Sequence, residues 1–441
     1  MTRIIFRILL LLCLPLLSII SCRQEKKVFD VNNADILHRN QDLLTRVIIY
    51  DIFTPPVASR IYVYSSLASY EAVRFMENGA PSIMAKTKGF APAPVPEKFR
   101  SYNYLLAASK AFFTVVRNVR VFAVDSLQRY EDSLFTGFRE NLDDSTYQRS
   151  VQLGDSIGHI VLARAKADGY IKSRGKPKHL GSNTSGYWRP TPPDYLDGVE
   201  WCWNTMKAFV LDSASQFMAP RPPPFSADTS SIFFRNVKAV YDINRGLTEE
   251  EKLIARYWDD NPFVIEHSGH LSFGNKKITP GGHWMGIAAI ASKKTEAGPV
   301  KIARTYALTA IALYDAFIVC WDEKYRSNYI RPVTVINEYI DRTWTPFLQT
   351  PPFPEYTSGH STITRSAATV LTKLYGDDFS FLDTSDLEYI GLQRQFKSFV
   401  QAADEASVSR VYGGIHYFFS VNAGAEMGKQ VGDLIIEKLV N

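Results

Sequence analysis

The sequence predicts an all-α protein made of two packed helical bundles joined by a proline-rich crossover. Apolar residues recur at helical spacing in two groups of segments, one before residue 175 and one after residue 247. Alternating strand patterns are few and short, so the class is all-α. A long irregular stretch separates the two groups, which favours two bundles with a long connection.

The first 21 residues resemble a bacterial export signal. Two arginines precede an apolar run from Ile8 to Ile20, and Cys22 follows directly after Ser21. A run of about 13 apolar residues is shorter than the roughly 20 that span a bilayer. We expect a signal peptide of the lipoprotein type over residues 1–21 and a lipid on Cys22. The protein would then lie on the periplasmic side of a cell envelope, and its membrane contact would be this lipid. A plain secretory signal with an incidental cysteine is the alternative.

The composition is that of a globular protein with a sizeable core. The chain has 441 residues, of which 46% are hydrophobic and 22% are charged, with a net charge of +5. The lysines and arginines form no block beyond the first residues, so we expect no nucleic-acid partner. Cys202 and Cys320 are expected to be separate buried thiols. The oligomeric state stays open, with a monomer favoured.

The predicted N-terminal bundle covers residues 22–175. In residues 34–53 apolar side chains recur every three or four positions, and Ile36, Leu37 and Leu44 share one face. The same spacing predicts helices over residues 59–76, 102–141 and 146–167.

Prolines interrupt the helical spacing between residues 176 and 247. Two clusters of prolines lie near residues 190–193 and 220–224. Because proline removes a backbone donor and blocks helix interiors, we predict loops and turns here. The stretch also contains Trp188, Trp201 and Trp203, whereas a disordered linker has few aromatic residues. We therefore expect an ordered crossover that packs on the body.

The predicted C-terminal bundle covers residues 248–441. Helical spacing predicts helices over residues 248–258, 283–291, 300–321, 361–375, 385–403 and 415–439. A first cluster of cations places Lys324 seven residues before Arg331, which Pro332 follows. The residue before proline disfavours the α region, so we expect Arg331 at a helix end or in a loop. Two cations by themselves usually belong to a solvent-exposed face of a helix.

A second cluster runs from Pro351 to His360 and leads into an amphipathic stretch. Thr357 or Ser358 is a natural N-cap, and Gly359 allows the backbone to approach a ligand closely. The N-terminus of a helix presents unpaired amides and the positive end of the helix dipole. It is therefore a ready site for an anion.

A third cluster joins Ser409-Arg410 to His416 across Gly413 and Gly414. The paired glycines are expected to break the helix, so that Arg410 and His416 converge on one point. Together the clusters supply two arginines, a lysine, a serine hydroxyl, helix-start amides and two histidines. These groups suit a tetrahedral oxyanion, because arginine binds its oxygens in a bidentate manner and lysine adds a point charge.

The order K-x6-RP, SGH and SR-x5-H resembles the vanadium haloperoxidase and type 2 phosphatidic acid phosphatase superfamily. All three parts are present in order and at full spacing, although they cover less than a quarter of the chain. The resemblance implies a vanadate-dependent peroxidase that oxidises halide with hydrogen peroxide to hypohalous acid. It implies that vanadate is bound by Lys324, Arg331, Ser358, Gly359, Arg410 and His416.

The resemblance also implies individual roles. His416 would bond the vanadium axially, and the three cations would neutralise the equatorial oxygens. Ser358 and the Gly359 amide would donate hydrogen bonds to these oxygens. His360 would act as the acid–base group that takes a proton from incoming hydrogen peroxide, and Lys324 would polarise the bound peroxide.

Two aromatic residues favour a haloperoxidase over a phosphatase. Trp321 and Phe353 resemble residues that line the halide side of family chloroperoxidases and bacterial haloperoxidases. The large N-terminal half agrees with this, because the small acid phosphatases of the superfamily lack it. The lipoprotein-like start and the length resemble bacterial vanadium-dependent iodoperoxidases of marine flavobacteria. Iodide is therefore the expected halide, and bromide is the second candidate.

Three alternatives stay open. An acid phosphatase of the same superfamily would use His416 as its nucleophile. A non-catalytic envelope lipoprotein could bind the oxyanion, although it would not need two histidines among the cations. A zinc site could form from His267, His270 and His283, but it lacks an acid at metalloprotease spacing.

The chain departs from the family pattern at two hydroxyl residues. Thr357 stands where the family often has proline, and Ser361 stands where alanine is common. Either hydroxyl could alter the hydrogen bonding near His360. Asp259 and Asp260 are candidates for the acidic partner of His360, but their spacing differs from that in the family.

Overall fold

The computed structural model describes residues 29–119, 121–262, 264–268, 270–274 and 276–441, with the backbone alone at residues 265–268 and 271–274. Within these ranges the chain is helical apart from loops and two short hairpins, which confirms the predicted all-α class. The predicted signal peptide with Cys22 and the side chain of His267 lie outside the described residues.

Several helices of the N-terminal half begin at favourable capping residues. Asn103 and Asp143 accept the amides of Leu106 and Thr146, and Pro55 occupies a first turn, where its missing N–H is not needed. The helices are α1 (Asp35–Tyr50), α2 (Pro55–Val73), α3 (Ile83–Lys86), α4 (Tyr104–Val116), α5 (Val124–Asn141), α6 (Asp144–Lys166) and α7 (Tyr170–Arg174).

The crossover and the C-terminal half contain the remaining elements of the described chain. The helices are α8 (Ile232–Arg245), α9 (Glu249–Tyr257), α10 (Pro280–Lys294), α11 (Pro299–Ser327), α12 (Pro332–Tyr339), α13 (Gly359–Tyr375), α14 (Leu387–Ile390), α15 (Phe399–Tyr412) and α16 (Phe418–Ile435). The antiparallel pairs are β1 (Ile265–Ser268) with β2 (Leu271–Gly274), and β3 (Phe381–Asp383) with β4 (Arg394–Phe396).

Helices α2 and α11 form the centre of the molecule. Every residue of α2 is buried, and α11 packs against both α2 and α13. By length and composition, the 29 residues of α11 could cross a membrane, but 94% of its most apolar window is buried inside the protein. It is therefore the core helix that joins the two halves. One continuous hydrophobic core spans both halves, and the division at residues 175 and 247 stays a prediction.

Small residues bring α16 close to α13, the helix whose N-terminus lies at the predicted oxyanion site. A Cβ atom at Gly428 would lie 2.2 Å from the carbonyl oxygen of Thr362, and one at Gly424 would lie 2.7 Å from the carbonyl of Ser358. No side chain fits at these distances. The close approach brings the start of α16, just after His416, next to the start of α13.

Two sequence predictions of helix extent were wrong. Residues 102–141 form two helices, because the chain turns between them and the Asp51 carboxylate accepts the amides of Phe122 and Ala123. Residues 385–403 are a helix only at their two ends. In between, β4 pairs with β3, and this hairpin buries Phe381 and Phe396.

The prediction of loop and turn for the crossover was wrong at its end. Residues 232–245 form α8, whose N-cap Ser231 accepts the amide of Phe234. The prolines end at residue 224, and the following apolar side chains, including Val237 and Val240, are buried at helical spacing. The rest of the crossover is ordered on the body, with Trp188 and Trp203 fully buried.

Candidate active site

The first cluster of cations lies where α11 ends and α12 begins. Asn328 adopts a left-handed conformation that terminates α11, and Arg331 is the extended N-cap before Pro332, as predicted. Lys324, in the last turn of α11, donates to the backbone carbonyls of Pro354 and Glu355 at 2.9 and 3.0 Å.

The guanidinium of Arg331 bridges the other two clusters. Its Nε donates to the carbonyl of Phe353 at 2.9 Å, and its Nη1 donates to the carbonyl of Ile415 at 2.8 Å. The same Nη1 lies 3.3 Å from Nε2 of His416. Arg331 therefore ties together the loop before α13 and the loop before α16.

The second cluster forms the N-terminus of α13. Ser358 rather than Thr357 is the N-cap, and its Oγ accepts the Ser361 amide at 3.4 Å and the Ser361 hydroxyl at 2.9 Å. With its oxygen occupied as an acceptor, the Ser358 hydroxyl is left to donate. The amides of Gly359 and His360 occupy the first turn of the helix, where no intrahelical acceptor exists.

The third cluster folds as the paired glycines predict. Helix α15 ends at Tyr412, and Gly414 has a φ of 75°, a left-handed conformation that turns the chain toward α16. Arg410 and His416 both line the same cavity as a result. Ser409 does not line this cavity, and its hydroxyl donates to the carbonyl of Ala406.

The second and third segments meet at a small cavity whose lining includes Gly359, His360, Arg410 and His416. Helix α11 contributes Trp321 to this lining, whereas Lys324 and Arg331 are not part of it. Arg410 donates from Nη1 to the carbonyl of Trp258, while its Nε and Nη2 have no hydrogen-bond partner among the described residues. Buried polar groups are normally hydrogen-bonded, so unpaired donors that face a cavity indicate a missing acceptor. A tetrahedral oxyanion supplies such acceptors, and the residues present therefore fit vanadate.

Burial dominates the electrostatics of the site. It lowers the pKa of Lys324 to about 7, the pKa of Arg331 to about 10, and the pKa of Arg410 below its usual value. Burial, together with the neighbouring arginines, also holds the pKa values of His360 and His416 well below 6.5. A bound anion would oppose these shifts, because negative charge stabilises the protonated form of each group.

His360 has a carboxylate nearby but no hydrogen bond to it. Its Nε2 lies 3.9 Å from Oδ2 of Asp260 and has no hydrogen-bond partner in the described part of the chain. Asp260 is therefore the nearer of the two predicted acids, whereas Asp259 forms an ion pair with Lys277. Asp260 in turn lies 3.1 Å from Nδ1 of His283.

His283 forms a buried cluster with aspartates rather than with other histidines. Its Nε2 lies 3.0 Å from Asp383, its Nδ1 faces Asp260 and Asp386, and its ring stacks on Trp258. Although burial lowers the pKa of His283, Asp260 and Asp383 raise it well above 6.5. Each ring nitrogen of His283 thus faces a carboxylate, and the ligand atoms of Asp260, His283 and Asp386 lie close enough together to hold a metal ion. His270, which the zinc alternative would also need, is exposed.

The two aromatic residues lie beside the cations. Trp321 and Phe353 line the cavity with ring centroids 5.1 Å apart, and Lys324 Nζ lies 4.9 Å from the Phe353 ring. The Trp321 indole N–H donates to the carbonyl of Val199 at 3.1 Å. Because the indole N–H is already bonded, a ligand in the cavity would contact the face or the edge of the ring.

The sequence interpretation missed two groups of residues. Glu355 lies 2.7 Å from Nδ1 of His416, and its place inside the second motif was the only available signal. His283 contacts Asp260 through one ring nitrogen and Asp383 through the other. His283 and Asp383 lie 23 and 123 residues away from Asp260 in the chain. Cys202 and Cys320 are buried free thiols, as predicted.

The fold and site agree with the similarity of this chain to known proteins. Residues 304–343 and 337–441 match the family model of the VCPO second helical-bundle domain. None of the curated proteins matches the sequence.

Solved structures match over nearly the whole chain. The crystal structure of a protein described as the first bacterial vanadium-dependent iodoperoxidase is 42% identical, with a TM-score of 0.87, over 92% of this chain and 97% of that one. Holo-type and apo-type structures of a bacterial vanadium-dependent chloroperoxidase are each 19% identical, with TM-scores of 0.66 and 0.68. They cover 88% and 87% of this chain and 93% and 94% of their own, and at that identity they support the fold alone. The chain belongs to the family of vanadium-dependent haloperoxidases, and its cofactor is vanadate.

Proposed function

We propose that this haloperoxidase oxidises iodide with hydrogen peroxide to hypoiodous acid. The proposal is carried by the unpaired donors of Arg410 and the two histidines on one cavity. The likeness to a protein described as an iodoperoxidase supports the choice of halide. Iodide is also the halide that is easiest to oxidise. The reaction consumes one hydrogen peroxide, one iodide and one proton and yields hypoiodous acid and water.

The chain holds the oxyanion by charge and by directed hydrogen bonds. Arg410 donates from Nε and Nη2, and Ser358 donates its hydroxyl proton because Ser361 occupies its oxygen. Lys324 donates two of its three ammonium protons to backbone carbonyls, so the third proton can be donated to the ligand. Nε2 of His416 is the nitrogen that would bond the vanadium. Vanadate, when bound, supplies a Lewis acid that activates hydrogen peroxide without a change in its own oxidation state.

His360 moves the proton. Its low pKa keeps the imidazole neutral, so that it can accept a proton from incoming hydrogen peroxide. The resulting positive charge lies 3.9 Å from the Asp260 carboxylate, which stabilises it until the proton is returned. Lys324 would supply positive charge beside the peroxide, and Trp321 and Phe353 would shape the side from which iodide approaches.

The deciding experiment measures triiodide formation by purified protein with hydrogen peroxide and iodide, with and without vanadate. We expect activity that depends on vanadate and is lost in His416→Ala together with vanadate retention. Activity of His416→Ala with added vanadate would overturn the assignment. Hydrolysis of p-nitrophenyl phosphate without triiodide formation would identify a phosphatase, and activity in neither assay would identify an oxyanion binder.

We also propose that the protein is exported and anchored by a lipid on Cys22 at the periplasmic side of the envelope, as a monomer. The support is the signal-like run before Cys22. Expression with labelled palmitate should label the wild type and not Cys22→Ala, and the variant should leave the membrane fraction. Equal membrane association of both proteins would contradict the anchor. Light scattering of detergent-solubilised protein tests the monomer.

A further inference from the structure

Glu355 is a buried carboxylate directly behind the histidine that binds vanadate. Its Oε1 lies 2.7 Å from Nδ1 of His416 and accepts the Tyr417 amide at 3.1 Å. The side chain is fully shielded from solvent, and its backbone carbonyl accepts a hydrogen bond from Lys324. The steps proposed above make no use of this carboxylate.

The contact fixes which nitrogen of His416 carries the proton. A neutral imidazole has one N–H and one lone pair, whereas an ionised carboxylate can only accept. Oε1 of Glu355 already accepts the Tyr417 amide, so it is the accepting oxygen of the carboxyl group, and its contact with Nδ1 places the His416 proton on Nδ1. The lone pair is then on Nε2, the nitrogen 3.3 Å from the Arg331 guanidinium. Only an unprotonated nitrogen can bond a metal.

The surroundings of Glu355 hold the carboxylate in place. The backbone N–H of Glu355 donates to the carbonyl of Tyr329 at 2.9 Å, so the residue is fixed at its main chain as well as at its side chain. Burial raises the pKa of Glu355 to about 7, and the nearby Arg331 and Lys324 oppose that shift because they favour its negative charge. A hydrogen bond of the opposite sense, from a protonated Glu355 to Nδ1, would put the proton on Nε2 and prevent metal bonding.

We propose that Glu355 is a positioning residue that sets the tautomer and ring orientation of His416 and thereby the affinity for vanadate. Histidines that bind metals usually donate their other ring N–H to such a partner, and the partner also raises the basicity of the ligand. The inference rests on the proposed role of His416 as the vanadium ligand.

The test compares wild type with Glu355→Gln in two measurements. Equilibrium dialysis with vanadium determined by mass spectrometry gives the vanadate dissociation constant. Nitrogen-15 chemical shifts of the His416 ring in vanadate-free protein report its tautomer. We expect vanadate binding to weaken about 10- to 100-fold, as for the loss of other such partners. We also expect the ring to change from the Nδ1–H form to a mixture, because a glutamine amide can donate as well as accept.

Glu71→Gln is the matched control. Glu71 is also fully buried and accepts the amide of Met84 and the hydroxyl of Ser82, but it lies in α2 of the N-terminal half. We expect this variant to lose thermal stability and to keep its vanadate affinity within about twofold, since the site is untouched.

Wild-type affinity in Glu355→Gln, or weaker binding with an unchanged His416 tautomer, would overturn the proposal, because the second result indicates a structural role alone. If Glu355→Gln does not fold, Glu355→Asp decides by the same two measurements. It keeps the charge and withdraws the carboxylate by one methylene, so we expect intermediate values, and wild-type values would overturn the proposal. Failure of the proposed function is seen separately, as a wild type that forms no triiodide with vanadate.

Discussion

Arg410 offers the sharpest test of oxyanion binding, because the cost of its removal can be worked out from its hydrogen bonds. Its Nε and Nη2 are buried and have no partner in the part of the chain that the structure describes. A hydrogen bond to a charged group contributes about 1.5–3 kcal/mol. Loss of two such bonds in Arg410→Ala should therefore weaken vanadate binding by about 3–6 kcal/mol, which is about 10²- to 10⁴-fold.

Two further variants separate charge and geometry from folding. Arg410→Lys keeps the charge but loses the planar fork, so we expect a loss of about one hydrogen bond, or roughly 10- to 100-fold. Arg164→Ala is the matched control, because Arg164 is a buried arginine in α6 that binds the carbonyls of Lys207 and Ala208. It should lower the unfolding temperature and leave vanadate affinity unchanged.

The assay is equilibrium dialysis of vanadate-free protein against a series of vanadate concentrations, with near-ultraviolet circular dichroism to confirm folding. Dissociation constants of folded Arg410→Ala and wild type that agree within threefold would refute the reasoning. The two unpaired nitrogens would then be bound by something other than the oxyanion.

Four other predictions concern the neighbours of Arg410. His360→Ala should lower triiodide formation by about 10²- to 10⁴-fold, which is the usual rate contribution of an acid–base group. The variant should still retain vanadate. Loss of both triiodide formation and vanadate retention would contradict a pure acid–base role. Because burial and nearby cations lower the pKa of His360, its imidazole should be neutral at pH 6.5 in a nuclear magnetic resonance titration of vanadate-free protein. Added vanadate should raise that pKa, and a protonated ring before the addition would show that the cations do not act on it. Substitutions of Trp321 or Phe353 should change the ratio of iodide to bromide oxidation more than the vanadate affinity, and an unchanged ratio would remove both from the halide side. Ser361→Ala removes the hydroxyl that occupies Ser358 Oγ, so vanadate affinity should fall by roughly 1 kcal/mol, or about fivefold, and an unchanged affinity would show that Ser358 is oriented without it.

The helix boundaries beside the predicted oxyanion groups were predictable, because local chemistry determines where a helix begins and ends. The proline after Arg331 forces a helix boundary there, Ser358 is a capping residue, and Gly413-Gly414 breaks a helix. Each of these signals is contained within a few residues of sequence. Short-range rules therefore placed the three segments correctly relative to their helices.

The groups behind the histidines were not predictable, because their contacts depend on tertiary packing. Glu355 meets His416 across 61 residues, and His283 meets Asp383 across 100. A buried acid and a surface acid look the same in a sequence. The zinc alternative for His283 arose for this reason, since the aspartates around its ring come from two distant segments, at residue 260 and at residues 383–386.

The cations of this site join the segments around the cavity through bonds to backbone carbonyls. Arg331 joins the loop before α13 to the carbonyl of Ile415, Lys324 joins α11 to the loop before α13, and Arg410 joins α15 to the carbonyl of Trp258. A carbonyl accepts a hydrogen bond without neutralising the positive charge, so each contact fixes a cation and leaves its charge for the oxyanion. Burial of these charges is costly, and Glu355 offsets only part of the cost, since burial still lowers the pKa of Lys324 and of Arg331. Vanadate binding should therefore stabilise the fold itself, because anything that binds the native state alone raises the free energy of unfolding.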